Sequence, residues 1–266
     1  MNNVKSTIIC IPALLTGLAI STPVSAQEIE SEAVYDSSGL TPSVGTWRRL
    51  LPGDEGLQDR GCFTETFSHD PSGNWLHTQT VQQDDGVRIQ EIRTLNAESL
   101  RTIQLQRFYV ALPEGTQGAP LWVGLDIEGS AATGEALMPG GQSGPVERTY
   151  SGPVRDGWIA GLLIATLDLQ DGLVAQDRVA VPLQDQEYIL TMTVTGRESY
   201  PAGEADAQDA WAVDADWYDL ATGNTVAGGR TRPGGTYFIA VEPEAGRPAV
   251  LGYMSGSAEI RSGACR

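Results

Sequence analysis

The sequence has few of the residues that build metal centres or carry out acid–base catalysis. It contains two histidines, His69 and His77, and neither has a second histidine or cysteine at the spacing of a metal site. The Gly-x-Ser-x-Gly motif of a hydrolase is missing, and no glycine pair opens a helix as a phosphate-binding loop requires. The sequence therefore predicts no cofactor, no metal site and no catalytic residues.

Positive charge is also scarce. The chain has 17 Lys and Arg residues against 34 Asp and Glu residues, for a formal net charge of −17. Nucleic acids and anionic lipid head groups are bound through clustered Lys and Arg, so this balance argues against both as partners. Neutral or cationic partners stay open, beside the simpler interpretation that the acidic residues only solvate the surface.

The N-terminus has the three-part organisation of a secretory signal peptide. Lys5 supplies the positive charge, Thr7–Ile20 is apolar but too short and interrupted to anchor the chain in a membrane, and Val24–Ala26 offers small residues for cleavage. We expect cleavage after Ala26 and release into the periplasm or the medium. The loss of Lys5 would change the net charge from −17 to −18, and Cys10 would leave with the signal.

About 240 residues remain, which is enough for one large β-rich domain or for two small ones, and we favour one. We divide the chain into a signal peptide at 1–26, a polar and acidic flexible lead at 27–45, and a single β-rich domain at 46–266.

The mature chain keeps two cysteines, Cys62 and Cys265. An exported protein with two thiols usually forms one disulfide, and this bond would join the start of the domain to its last residue but one. The chain-entropy formula allows a gain of up to roughly 5 kcal/mol for so long a loop. The alternative is two unpaired thiols, and we favour the disulfide because an exposed thiol is reactive in an oxidising compartment.

Apolar and polar residues alternate along most of the chain, as they do in half-buried strands. Within 103–111, Arg107 is the one charged residue on the apolar side of the alternation. The expected strands are Trp75–Val81, Val87–Thr94, Ile103–Ala111, Leu121–Glu128, Val179–Leu183, Tyr188–Val194, Trp211–Tyr218, Tyr237–Val241 and Ala249–Tyr253. Short strands joined by turns predict an antiparallel meander. Residues 129–144, rich in Gly, Ala and Ser, are expected to form a loop between two halves.

One segment breaks this alternation. Trp158–Leu167 is apolar on every side and follows Asp156, a residue suited to cap a helix. The pattern predicts a short buried helix, with a continuous buried strand as the alternative. A segment apolar all round cannot lie on a soluble surface without exposing a large patch, so we expect strands to enclose it.

Several segments resemble a family of exported bacterial proteins of unknown function related to the outer-membrane lipoprotein carriers. They lie within residues 75–253 and are Arg93–Thr102, Gly161–Gly172, Val194–Ser199, Ala210–Val213 and Thr236–Ile239. The resemblance implies a mainly β fold in which a strongly curved antiparallel sheet, a half-barrel, wraps around a short apolar helix. It also implies an apolar concavity, which in the carriers holds acyl chains.

The predicted ligand-binding residues are apolar and aromatic residues of the helix and the later strands. They are Trp158, Leu162, Leu163, Tyr188, Met192, Trp211 and Trp217. They would instead simply fill the core if the concavity is packed. We predict non-covalent binding of a hydrophobic or amphipathic envelope molecule, such as a lipid or a lipoprotein, without a membrane span. The alternatives are an envelope interaction module without a ligand and, third, a secreted hydrolase with histidine and carboxylates clustered in a cleft.

Overall fold

The computed structural model describes residues 29, 31–54, 56–83, 86–111, 120–226 and 234–265, so the predicted signal at 1–26 lies outside the described residues. These residues form one antiparallel sheet of 15 strands. The strands before the helix are β1 Ser43–Gly53, β2 Gly56–His69, β3 Trp75–Gln83, β4 Arg88–Leu95, β5 Thr102–Ala111, β6 Trp122–Glu128, β7 Ala131–Leu137 and β8 Ser143–Thr149. The strands after it are β9 Val174–Val181, β10 Gln186–Tyr200, β11 Gln208–Asp219, β12 Thr225–Val226, β13 Gly235–Ala240, β14 Val250–Ser255 and β15 Ala258–Ser262.

The strand order is β8-β7-β6-β5-β4-β3-β2-β1-β15-β14-β13-β11-β10-β9, with β12 paired to β11. The sheet does not close, and β8 and β9 form its two ends. Most neighbours along the sheet are also neighbours along the chain, which is the meander that the alternating pattern predicts. The mainly β class, with one short helix against one large open sheet, is confirmed.

The sheet rolls until its two ends overlap. Val179 of β9 packs into the cluster around the helix, whereas the next residue, Ala180, packs into a second cluster with Leu105 and Leu125 of β5 and β6. The backbone N–H of Ala180 donates to the carbonyl oxygen of Arg155 at 2.8 Å. The end of β9 is therefore buried on both faces, one against the helix and one against the inner face of the first strands.

The apolar segment forms a 3-10 turn at Gly157–Ile159 followed by helix α1 at Ala160–Ala165. A carboxylate oxygen of Asp156 accepts a hydrogen bond from the backbone N–H of Trp158 at 3.0 Å, which caps the first turn. Leu163 is fully buried against the inner face of the sheet. The prediction of a short buried helix enclosed by strands is confirmed.

Two glycines allow the helical segment to lie close to the strands. A Cβ atom on Gly157 would lie 2.8 Å from the ring of Trp217, and one on Gly161 would lie 3.2 Å from the ring of Tyr237. The spacing of four residues places both glycines on the same side of the segment. The aromatic rings of β11 and β13 therefore occupy the volume that larger side chains would fill.

The stretch at 129–144 is not a loop, and the prediction there is wrong. It contains β7 and the start of β8, which pair as an antiparallel hairpin. Its small residues are needed for close strand packing, since a Cβ atom on Gly134 would lie 1.9 Å from the carbonyl oxygen of Gly124. Ala132, a residue of β7 in the same hairpin, is fully buried.

Residues 31–45 correct the prediction of a flexible lead. Ala33 is buried, and its backbone N–H donates to the carbonyl oxygen of Gln176 at 2.7 Å along the edge of β9. Asp36 N–H donates to the carbonyl oxygen of Thr166 at 2.8 Å, just beyond α1. The segment covers backbone groups that the end strand would otherwise expose, and β1 already begins at Ser43.

Cys62 and Cys265 form a disulfide with a sequence separation of 203 and Cα atoms 5.6 Å apart. The bond links β2 to the residues after β15, across the intervening strand β1.

We expect the double substitution C62S/C265S to lower the free energy of unfolding by about 2–4 kcal/mol, because the unfolded chain regains the freedom that the cross-link removes. Urea denaturation of the oxidised wild type and the variant measures this. Non-reducing peptide mapping should recover the linked peptides, and two fully alkylatable thiols in the folded, unreduced protein would refute the bond.

Candidate functional site

The seven predicted ligand-binding residues lie around the helix, in the half of the sheet formed by the later strands. Leu163, Met192 and Trp211 are buried in the main cluster, Leu162, Tyr188 and Trp217 pack against it half-buried, and Trp158 is 55% exposed. Six of the seven are thus brought together as packed core, with the helix occupying the concavity. Their role in ligand binding stays a prediction.

The inner face of β2–β5 carries a different set of apolar side chains. Phe63, Val81, Ile89 and Tyr109 are direct neighbours across successive strands. We call these four residues the apolar row. All four are half-buried, and within the described ranges none belongs to or packs against the three buried clusters. The row is therefore apolar surface inside a curved sheet that the core does not use.

Charged and polar side chains border the apolar row on the same face. We call Glu65, His77, Glu91, Arg93 and Arg107 the polar belt. Glu65 on β2, Glu91 on β4 and Arg107 on β5 each lie two positions from a member of the apolar row. They are therefore on the same side of their strands as that row. The register pairs Glu91 with Arg107 and His77 with Arg93. The inner face is thus amphipathic, with a polar strip beside an apolar one.

Arginine side chains neutralise the buried acids of the belt. Arg93 is 0% exposed; its Nη2 donates to Oε2 of Glu91 at 2.5 Å and its Nε to Oδ2 of Asp156 at 2.6 Å. Nε of Arg107 donates to Oε1 of Glu91 at 2.6 Å. Burial would raise the pKa of Glu91, but the two guanidinium groups outweigh it and hold that pKa below its usual value. The two arginines therefore favour the ionised form of Glu91.

His77 is the one belt residue with an unsatisfied buried atom. The residue is 2% exposed, and its Nε2 contacts the carboxylate of Glu65, whose side chain is 25% exposed. Its Nδ1 has no hydrogen-bond partner among the described residues. A buried polar atom without a protein partner needs a water or a ligand to satisfy it.

Two clefts lie near this half of the sheet. The larger, of about 580 Å³, lies at the start of β1, and its lining includes Trp47, Tyr200, Asp206, Arg247 and Val250. The ring of Trp47 also stacks on Phe63 with centroids 5.0 Å apart, so this cleft adjoins the first member of the apolar row. The second, of about 550 Å³, is a shallow groove between residues 35–40 and the ends of β2 and β3.

Neither a metal site nor a membrane-spanning helix is found in the part of the chain that the structure describes. No three His, Cys, Asp or Glu residues there are placed to hold a metal ion together. No helix there reaches the length and apolar character needed to cross a bilayer.

The comparisons with known proteins are sparse. No family model and no curated protein matches the chain. A solved structure that resembles it is the β-barrel-like protein of domain of unknown function DUF1849 from Brucella abortus, with 12% sequence identity and a TM-score of 0.47. The match covers 86% of this chain and 96% of that one. The description of that structure names no ligand or activity, and membership of the lipoprotein-carrier family is not shown.

Proposed function

We propose that the protein is exported and binds an amphipathic envelope molecule on the inner face of β2–β5. The observation that carries the proposal is the apolar row, which is half-buried, lies within a curved sheet and is bordered by charged groups. An apolar chain laid across the row would remove its surface from water, and polar groups of the same molecule would meet the belt.

Two further features support this proposal. The larger cleft has a volume typical of small-molecule sites. Trp47 lines this cleft and stacks on Phe63, the first member of the apolar row. The sequence resemblance to the lipoprotein carriers favours an acyl-chain ligand. A second version of this proposal places the ligand at the seven predicted residues around the helix. It requires the helix to shift, because six of these residues now form packed core with it.

The alternative is an envelope interaction module without a ligand. The specific observation in its favour is that α1 fills the later half of the concavity, with Leu163 and Met192 almost fully excluded from solvent. In that case the apolar row would be covered by a protein partner instead of a small molecule.

Native mass spectrometry of protein purified from its own envelope fraction tests the proposal. We expect a chain that begins at Gln27 and carries a non-covalent adduct of defined mass. The variant V81Q/I89Q should lose the adduct and bind an uncharged fluorescent alkyl-chain probe about tenfold more weakly, because two apolar contacts are replaced by amides.

The matched control is V110Q. Val110 is 57% exposed and points away from the inner face, next to Tyr109 on β5. It should bind the probe like the wild type. A bare chain that also fails to bind the probe would favour the interaction module, and a mass that retains the first 26 residues would refute export.

A further inference from the structure

One carboxylate of the polar belt differs from the other in its partners. Arg93 and Arg107 are engaged by Glu91 and Asp156, so these two cations and two anions balance. Glu65 has no arginine partner within the described ranges, and its contact is the imidazole of His77. Among the described residues, Glu65 is therefore the carboxylate of the polar belt without an arginine partner.

The position of Glu65 makes it accessible from the apolar row. It lies two residues from Phe63 on the same face of β2, and its neighbours across the strands are Gly45 and Gln79. Gly45 has no side chain, although the ring of Trp47 lies over it, and Gln79 has an uncharged amide. With a side chain that is 25% exposed, the carboxylate borders the row without being enclosed by it.

The charge of the whole chain acts in the same direction. The net charge is −17, and the single lysine is Lys5, within the predicted signal peptide. A strongly negative protein repels anionic amphiphiles and attracts cationic ones before any contact forms. The imidazole of His77 contacts Glu65 through Nε2, and its buried Nδ1 has no partner among the described residues, so this side of Glu65 offers no positive side chain within them.

We propose that the occupant of this face is a single-chain amphiphile with an ammonium head group, whose chain lies on the apolar row and whose ammonium group contacts Glu65. The inference rests on the proposed function and specifies the chemistry of its ligand. A charge-assisted contact between an ammonium group and a carboxylate is stronger than a neutral hydrogen bond and gives selectivity over carboxylate and neutral head groups.

Isothermal titration with three probes of equal chain length tests the inference: dodecylammonium, dodecanoate and dodecyl maltoside, each below its micelle concentration at neutral pH. We expect the wild type to bind dodecylammonium at least about tenfold more tightly than dodecanoate, the ratio that one favourable charged contact gives. The variant E65Q should lose this preference and bind dodecyl maltoside as before, and E65D should restore part of it.

The control is E147Q, which removes an exposed carboxylate on the end strand β8 and leaves the inner face unchanged. It should retain the preference for dodecylammonium, which separates a local contact from the effect of net charge. Equal binding of all three probes, or a preference that survives in E65Q, would overturn the head-group inference and leave the proposed function standing. Failure of every probe to bind would count against the proposed function itself.

Discussion

Leu163→Asp should unfold the protein or lower its free energy of unfolding by about 4 kcal/mol. Leu163 is 0% exposed and packs in the cluster between α1 and the inner face of the sheet. A carboxylate at this position would be buried among apolar side chains. Its desolvation would add to the loss of the leucine contacts, and urea denaturation followed by circular dichroism measures the sum.

The matched control is Leu57→Asp at the start of β2, where the leucine is 47% exposed. The same chemical change there should alter the free energy of unfolding by less than about 1 kcal/mol. If L163D and L57D unfold at the same urea concentration, the helix does not pack inside the sheet.

Arg93→Met should lower the free energy of unfolding by about 3–5 kcal/mol at neutral pH. The guanidinium group is fully buried and binds both Glu91 and Asp156. Methionine keeps much of the side-chain volume but leaves two buried carboxylates with less compensation. Asp156 also caps the first turn before α1. The loss of its Arg93 partner should therefore also destabilise the start of the helix.

The cost of R93M should depend on pH. In the wild type the arginines hold the pKa of Glu91 below its ordinary 4.5, so the stability from this pairing is present above that pH and is lost as the pH falls below it. In the variant Glu91 loses one of the two guanidinium groups that lower its pKa and takes up a proton more readily, so the difference from the wild type should shrink toward pH 4. R101M, at an exposed arginine, should show neither effect. An R93M penalty of the same size at pH 7 and pH 4 would contradict the ionic account.

Local sequence patterns predicted the strands whose side chains alternate and the helix that interrupts them. Trp122–Glu128 alternates without exception and forms β6, and the uniformly apolar Trp158–Leu167 contains α1. The hairpin of β7 and β8 escaped prediction because its small residues resemble a loop. These small residues are needed because Gly134 packs directly against the β6 backbone. That contact joins two strands, so the local sequence pattern does not encode it.

The candidate site was harder to predict than the fold. Arg107 stood out as a charged residue on the apolar side of its strand, and Glu91 and Arg93 share the side of β4 that carries Ile89. Arg107 alone breaks a predicted alternation, and nothing within a single strand links it to Glu91 or Arg93. The register of β4 with β5 places Arg107 beside Glu91, and the hydrogen bond from Arg93 to Asp156 completes the network. Both are contacts between distant parts of the chain.

The central claim is that ligand binds on the inner face of β2–β5. Methyl-resolved NMR of the mature protein, titrated with dodecylammonium, tests it most directly. We expect chemical-shift changes in the methyl groups of Val81 and Ile89, with those of Leu163 and Met192 unchanged. Changes confined to Leu163 and Met192 would place the ligand beside the helix instead, and the absence of any change would contradict ligand binding on this face.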